Sequence, residues 1–298
     1  MDYHQPVLLA ESVEGLKINP SGIYLDVTYG GGGHSRLILS KLDDKGHLFA
    51  FDQDEDARVN VVPDSRLTFV AGNFRFLREY LTYYDVGKVD GILADLGVSS
   101  WQFDNPERGF SYREDHALDM RMNQRQSFRA ADIISSYSEN DLVRLFSDYG
   151  QVRNAKTLAA HIVTERRQRR IDTIAGFLDV IGSCIRGSRA KYLAQVFQSL
   201  RIEVNHEVDA LKDFLGASTD CLKPEGRLVV ISYHSVEDQL VKRWMKSGNA
   251  RGEIEQDDFG RVLSPMKMLT RKPVVPDEIE VGINNRARSA KMRIAERK

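Results

Sequence analysis

Cysteine is nearly missing: Cys184 and Cys221 are the two in 298 residues. They stand far apart with no Cys-x-x-Cys spacing, which disfavours both a zinc site and a disulfide framework and fits a reducing interior. Nowhere do eighteen apolar residues run together, and Met1 to Pro6 has no basic segment leading into an apolar one. Neither a membrane span nor a secretory signal is expected, so the expectation is a soluble cytoplasmic protein. Net charge is nearly missing too, at -1. The charges are nevertheless segregated. Arg166-Arg167-Gln168-Arg169-Arg170 is one basic cluster, and Arg286, Arg288, Lys291, Arg293, Arg297 and Lys298 form another, while Asp54-Glu55-Asp56 and Glu253 to Asp258 are acidic. Such a distribution can present a basic face to a polyanion, although basic runs are usually solvated helix faces.

Glycine, by contrast, is concentrated. Asp26-Val-Thr-Tyr-Gly-Gly-Gly-Gly-His-Ser35 follows the apolar run Ile23-Tyr24-Leu25 and precedes Leu37, Ile38, Leu39 and Leu42, so it reads as strand, glycine loop, helix. Gly30 to Gly33 carry no β-carbons, and a ligand could lie on their backbone N–H groups. No lysine follows the glycines, which argues against a nucleoside triphosphate. Ser35 stands where a dinucleotide fingerprint would want glycine, which weakens NAD without excluding it. What remains is acidic. Asp52 closes the next strand, Leu48 to Phe51, where a carboxylate can accept both ribose hydroxyls of an adenosine, and Asp26 can orient the loop or meet an ammonium group. S-adenosylmethionine has both features and no phosphate. The competing reading is a tight turn with no ligand.

The chain length permits one large domain or two moderate ones. After a third strand, Leu67 to Val70, Asn73 can address the polar edge of an adenine and Phe74 can stack on it; equally, Phe74 can face the core. The fourth strand, Val89 to Leu96, delivers Asp95 to its carboxyl end, where open α/β sheets bind ligands; the alternative is a helix cap. Strand–helix alternation then stops. From Pro106 to about Asn205 the periodicity is helical, over Glu139–Tyr149, Ala155–Arg170, Ile174–Ile185 and Tyr192–Val204. The expected division is residues 1–105, a helical insert over 106–205, and 206–298. The insert opens with Arg108-Gly-Phe110-Ser-Tyr112 and Leu118-Asp119-Met-Arg121-Met122, a mixture that suits stacking and reading a base, or simple docking on the parent domain. The fold resumes with the Lys223 to Gly226 turn and the strand Arg227–Ser232. His234 then either lines the cleft or caps the helix that follows. Met266–Leu269 and Ser289–Ala295 are expected as a closing antiparallel pair, the latter as a half-buried edge strand.

Laid out in this way, the chain resembles the MraW/RsmH family along nearly its whole length. The resemblance is carried by His4, Val7-Leu8-Leu9, Gly30 to Ser35, Asp95-Leu-Gly-Val-Ser-Ser100, Arg108 to Ser111, Leu118 to Met122, Ile231 to Asp238 and Arg286 to Ala290. The chain departs from the pattern where Asn285 replaces a usual proline and Gly31 a usual arginine or alanine. The resemblance implies a class I, Rossmann-like doubly wound α/β sheet with an inserted all-α substrate-recognition domain. It implies transfer of a methyl group from S-adenosylmethionine to the exocyclic N4 amine of a cytosine in the decoding region (P site) of small-subunit 16S ribosomal RNA. Cofactor contacts carry over to Gly32, Gly33, His34, Asp52, Phe74, Asp95 and Gln102. Asp95 is the candidate acceptor for the amine. Arg108, Phe110, Asp119, Arg121, His234, Arg286 and Arg288 are candidate substrate contacts. The implied partner is ribosomal RNA within an assembled small subunit, with no membrane and no metal, and a homodimer is compatible with this. A nucleotide-dependent oxidoreductase and a non-catalytic RNA-binding ribosome assembly factor are the rivals.

Overall fold

The computed structural model describes residues 6–298, so His4 lies outside the described residues. Seven strands form one sheet in the order β3-β2-β1-β4-β5-β7-β6. They are β1 (Ile23–Asp26), β2 (His47–Asp52), β3 (Leu67–Ala71), β4 (Val89–Asp95), β5 (Leu222–Ser232), β6 (Met266–Met268) and β7 (Lys291–Arg297). The first five are mutually parallel, and β7 runs antiparallel between β5 and β6. The order reverses between β1 and β4, which makes their carboxyl ends the switch point of a doubly wound sheet.

Strand side chains alternate between two apolar layers, as a period of two requires. Tyr24, Leu48, Leu93 and Val229 face one layer, together with Leu16 of α1 (Leu9–Leu16) and Ile38 of α2 (Gly33–Leu39). Their neighbours Leu25, Phe49, Ile92 and Leu228 face the other, together with Leu77 of α3 (Leu77–Tyr83). Each such side chain, fully buried, stabilises the fold by about 1.5–3 kcal/mol.

The chain leaves the sheet after β4 and folds a separate helical unit, Val98–Glu207. It contains α4 (Ser100–Asp104), α5 (Ala130–Ser136), α6 (Glu139–Arg144), α7 (Ala155–Glu165), α8 (Ile174–Gly182) and α9 (Arg189–Val204). Its core is its own, built on Leu118, Phe146, Leu158, Phe177 and Leu200. Ser99, Ser138 and Thr173 accept backbone N–H bonds at the starts of α4, α6 and α8, so local capping sets those boundaries. The helix expected to run to Arg170 stops at Glu165, and Arg166 to Arg170 form a turn.

The sheet unit is completed by α10 (Glu207–Cys221), α11 (Ser235–Ser247) and α12 (Glu278–Ile283). Leu211, Phe214 and Val241 join the layer of Leu25. The Lys223 to Gly226 segment, expected as a turn before the strand, lies within β5 as a bulge, where the register with β4 shifts between Val89 and Gly91. The expected edge strand is also corrected: β7 is interior, and β6 is the edge. An interior strand tolerates Arg293 because its buried Nε donates to Asp238 Oδ1 at 2.7 Å, with Lys291 Nζ 3.5 Å from the other oxygen.

Candidate active site at the carboxyl ends of the strands

Three carboxylates converge where β1, β2 and β4 end. Buried Asp26 accepts from Ser35 Oγ at 2.6 Å and from the Thr28 N–H at 3.2 Å. Asp52 accepts from the Gly30 N–H through Oδ2 and from the Asp54 N–H through Oδ1, both at 2.8 Å. Asp95 accepts from the Tyr233 hydroxyl at 2.8 Å, while its own N–H donates to Thr28 Oγ1 at 2.7 Å. Burial pushes each carboxyl up to about 6. The negative charge of Asp26 adds to the rise at both Asp52 and Asp95. The crevice therefore gathers negative charge, and Arg36 Nη1 donates to the Gly31 carbonyl of the loop beside it.

The glycine loop is held from both sides. The Tyr29 N–H donates to the Phe51 carbonyl, the Tyr29 hydroxyl donates to the Asn60 carbonyl, and Asn60 Nδ2 donates to the Gly30 carbonyl at 3.0 Å. Gly32 has φ +73°, and a β-carbon there would stand 2.6 Å from the Tyr29 hydroxyl oxygen. At Gly33 a β-carbon would stand 2.0 Å from the Pro6 ring. Two of the four glycines thus admit the protein's own side chains, at a loop whose bare backbone alone suggests room for a ligand.

His34, on α2, is buried. Its Nε2 lies 3.2 Å from the Val7 carbonyl oxygen, which can only accept, so Nε2 carries the proton and Nδ1 turns its lone pair towards Asp95 Oδ2 at 3.9 Å. Burial lowers its pKa, so the ring is neutral. Tyr233, which sequence reasoning passed over, is raised well above the ordinary phenol by burial and by Asp95, so it stays protonated and donates. Its one sequence signal is position: it follows the end of β5 directly, beside the end of β4.

The remaining candidates have other partners. Asn73 Oδ1 accepts from the Arg75 N–H and Nδ2 donates to Gln53, so this side chain caps a turn. Phe74 packs edge-on against Phe214, with ring centroids 5.3 Å apart, which is the packing alternative. His234 caps α11 through Nδ1, and its Nε2 lies 3.1 Å from Glu237 Oε1. Arg286 and Arg288 are exposed on the short turn of helix Asn285–Ser289.

Within the helical unit, Gln102 is buried and closes a capping box with Ser99. Arg108 is buried and donates to the carbonyls of Arg121 and Met122 at 3.0 and 3.1 Å, with Phe110 buried beside it. Asp119 takes Arg121 in a bidentate pair, both bonds 2.7 Å. Asn205 fastens the same loop through the Met122 N–H and the Met120 carbonyl. This arginine–aromatic run is pinned to its own unit, and burial of Arg108 explains why its charge could not be read as surface.

The sequence model of the MraW methylase family matches residues 1–298. The chain is 54% identical over 297 residues to a protein of Bacteroides fragilis (strain YCH46) named ribosomal RNA small subunit methyltransferase H, covering 99% of this chain and 98% of that one. The protein of that name from Phocaeicola vulgatus is 55% identical, again over 99% of this chain and 98% of the relative. Among solved structures, an rRNA methylase from Streptococcus thermophilus aligns over 100% of this chain and 98% of that one, at 11% identity and a TM-score of 0.41. No helix among the described residues is long and apolar enough to cross a membrane.

Proposed function

The chain belongs to the MraW methylase family, and from that premise we propose that it methylates the exocyclic N4 amine of a cytosine in the decoding region of small-subunit 16S ribosomal RNA, with S-adenosylmethionine as donor. The relatives named for small-subunit rRNA methylation span the same length at above half identity, which supports the substrate. The observation that carries the donor is the crevice of Asp26, Asp52 and Asp95. Three carboxylates repel a phosphate and favour a ligand bearing sulfonium and ammonium charge. This is also the reason to prefer it over NAD.

When bound, S-adenosylmethionine supplies a methyl group activated on sulfur. Asp52, Gly32, Gly33 and His34 would hold it, with Asp95 between donor and substrate. The family resemblance adds Phe74 and Gln102. The chain's own part is positioning. A cytosine amine is a weak nucleophile because its lone pair is delocalised into the ring. A carboxylate accepting from that amine returns electron density to nitrogen, and holding the nitrogen in line can supply up to about 7–11 kcal/mol of barrier reduction. Asp95 suits that role, because Tyr233 holds its Oδ1 and Oδ2 could accept from the amine. No covalent intermediate is required.

Calorimetric titration with S-adenosylmethionine and with NADH, followed by transfer of labelled methyl to unmethylated small subunits, tests the reading. Saturable binding of the methyl donor with label in RNA is expected. Binding of NADH instead would return the oxidoreductase.

A further inference from the structure

Within the helical unit a cavity of about 430 Å³ opens between α5 and the turn that follows α7. Ile134 and Ile171 give it an apolar floor, and its walls carry five guanidinium groups against the carboxylates of Asp132 and Asp172. The five are not equivalent. Arg129 lies 3.8 Å from Asp132, Arg170 pairs with Asp172 at 2.8 Å, and Arg169 reaches Glu165 at 3.2 Å as well as Asp179. These pairs lie at the surface, where ion pairs are weak and exchange readily for another anion.

Arg166 and Arg167 have no carboxylate partner among the described residues. Arg166 Nη1 donates to the carbonyls of Ile134 and Tyr137 at 2.8 and 2.7 Å, at the C-terminal end of α5. Those carbonyls fix the guanidinium, and the helix end offsets at most about half its charge. The side chain of Arg167 is exposed and makes no bond among the described residues. A preset cation, an exposed cation beside it and an apolar floor are what a sugar–phosphate segment needs. Guanidinium grips phosphate oxygens in pairs, stacks on bases, and leaves ribose and base faces to aliphatic side chains.

We propose that this cleft is a docking seat for a sugar–phosphate segment of the RNA substrate, with Arg167 as its phosphate ligand and Arg166 as its fixed charge. The proposal rests on the reading of the chain as an rRNA methyltransferase and names a surface that this reading leaves open.

The test uses the whole protein and a labelled single-stranded oligoribonucleotide, titrated across a salt series. Arg167→Glu and Arg170→Glu change exposed side chains and leave the α5 cap intact. Arg167→Glu should weaken RNA binding by about tenfold or more and lower the slope of log affinity against log salt by about one. Donor binding should not change. Equal affinity and slope in both variants would overturn the seat. So would polyaspartate binding the wild type more tightly than RNA of equal charge does, in a manner lost in Arg167→Glu, because the cleft would then receive an acidic protein segment. Methyl transfer by the wild type separates the two claims. Transfer with RNA binding unaffected by Arg167→Glu removes only the seat, whereas binding lost in Arg167→Glu with no transfer by the wild type removes only the proposed reaction.

Discussion

The Tyr233 hydroxyl donates to Asp95 Oδ1 at 2.8 Å, joining the end of β5 to the end of β4 across residues 138 apart in sequence. This bond favours the ionised carboxylate and partly opposes the rise that burial imposes. Tyr233→Phe removes it at little cost in volume. The acid limb of the pH–rate profile should then move up by about one unit, with turnover at neutral pH reduced and donor affinity nearly kept. A variant that lost activity with an unshifted limb would make Tyr233 a packing residue only.

Asp95 itself separates two roles. If it accepts from the substrate amine, Asp95→Ala should abolish most turnover while calorimetry shows donor affinity within a few fold of wild type. Loss of affinity in step with turnover would place the carboxylate on the donor instead, and unchanged turnover would remove it from the reaction.

The raised carboxyls also fix a pH dependence. Asp26, Asp52 and Asp95, at about 6 in the folded chain, bind more protons there than in the unfolded chain, where such groups titrate near about 4. Their contribution to stability is therefore greatest below about pH 4 and falls as pH rises through 6. A cationic ligand reverses this preference, because it binds the ionised crevice. Affinity for S-adenosylmethionine should be flat above about pH 7 and about tenfold weaker one unit below 6 for each carboxylate that must ionise. S-adenosylhomocysteine, without the sulfonium charge, should show the shallower dependence.

Gly32 tests the loop. Its φ of +73° and the Tyr29 ring beside it penalise any side chain. Gly32→Ala should lose at least about 1–2 kcal/mol from the left-handed backbone alone. Displacing Tyr29 would also break its bond to the Asn60 carbonyl. A lower thermal midpoint, with donor affinity reduced, is the expected result.

Arg108 tests the helical unit. Its two carbonyl bonds and buried charge hold the turn at Arg121 and Met122. Arg108→Ala should destabilise that unit by about 2–4 kcal/mol and speed hydrogen exchange at the Met120 and Met122 amides. Normal protection there would reassign Arg108 to the substrate.

The elements that the sequence disclosed are those whose physics is local. A strand running into glycines announces a loop, and Asp26, Asp52 and Asp95 announce strand ends because an acid closes an apolar run. His234 was legible only as a choice between cleft and cap, since its partner Glu237 lies one turn away and competes with any ligand. What stayed hidden depends on distant residues meeting. Tyr233 on Asp95, Thr28 on Asp95 and Asn60 on Gly30 are all non-local. The interior place of β7 was missed for the same reason. Alternating Lys291, Met292, Arg293 and Ile294 reads as an edge until Asp238 is seen to neutralise the buried arginine.

The central claim is tested most directly by incubating the protein with S-adenosylmethionine and unmethylated small ribosomal subunits, then identifying the modified nucleoside by mass. The prediction is a single cytidine gaining one methyl on its exocyclic nitrogen. Methyl on another base, or on carbon or ribose, or no transfer at all, would contradict it.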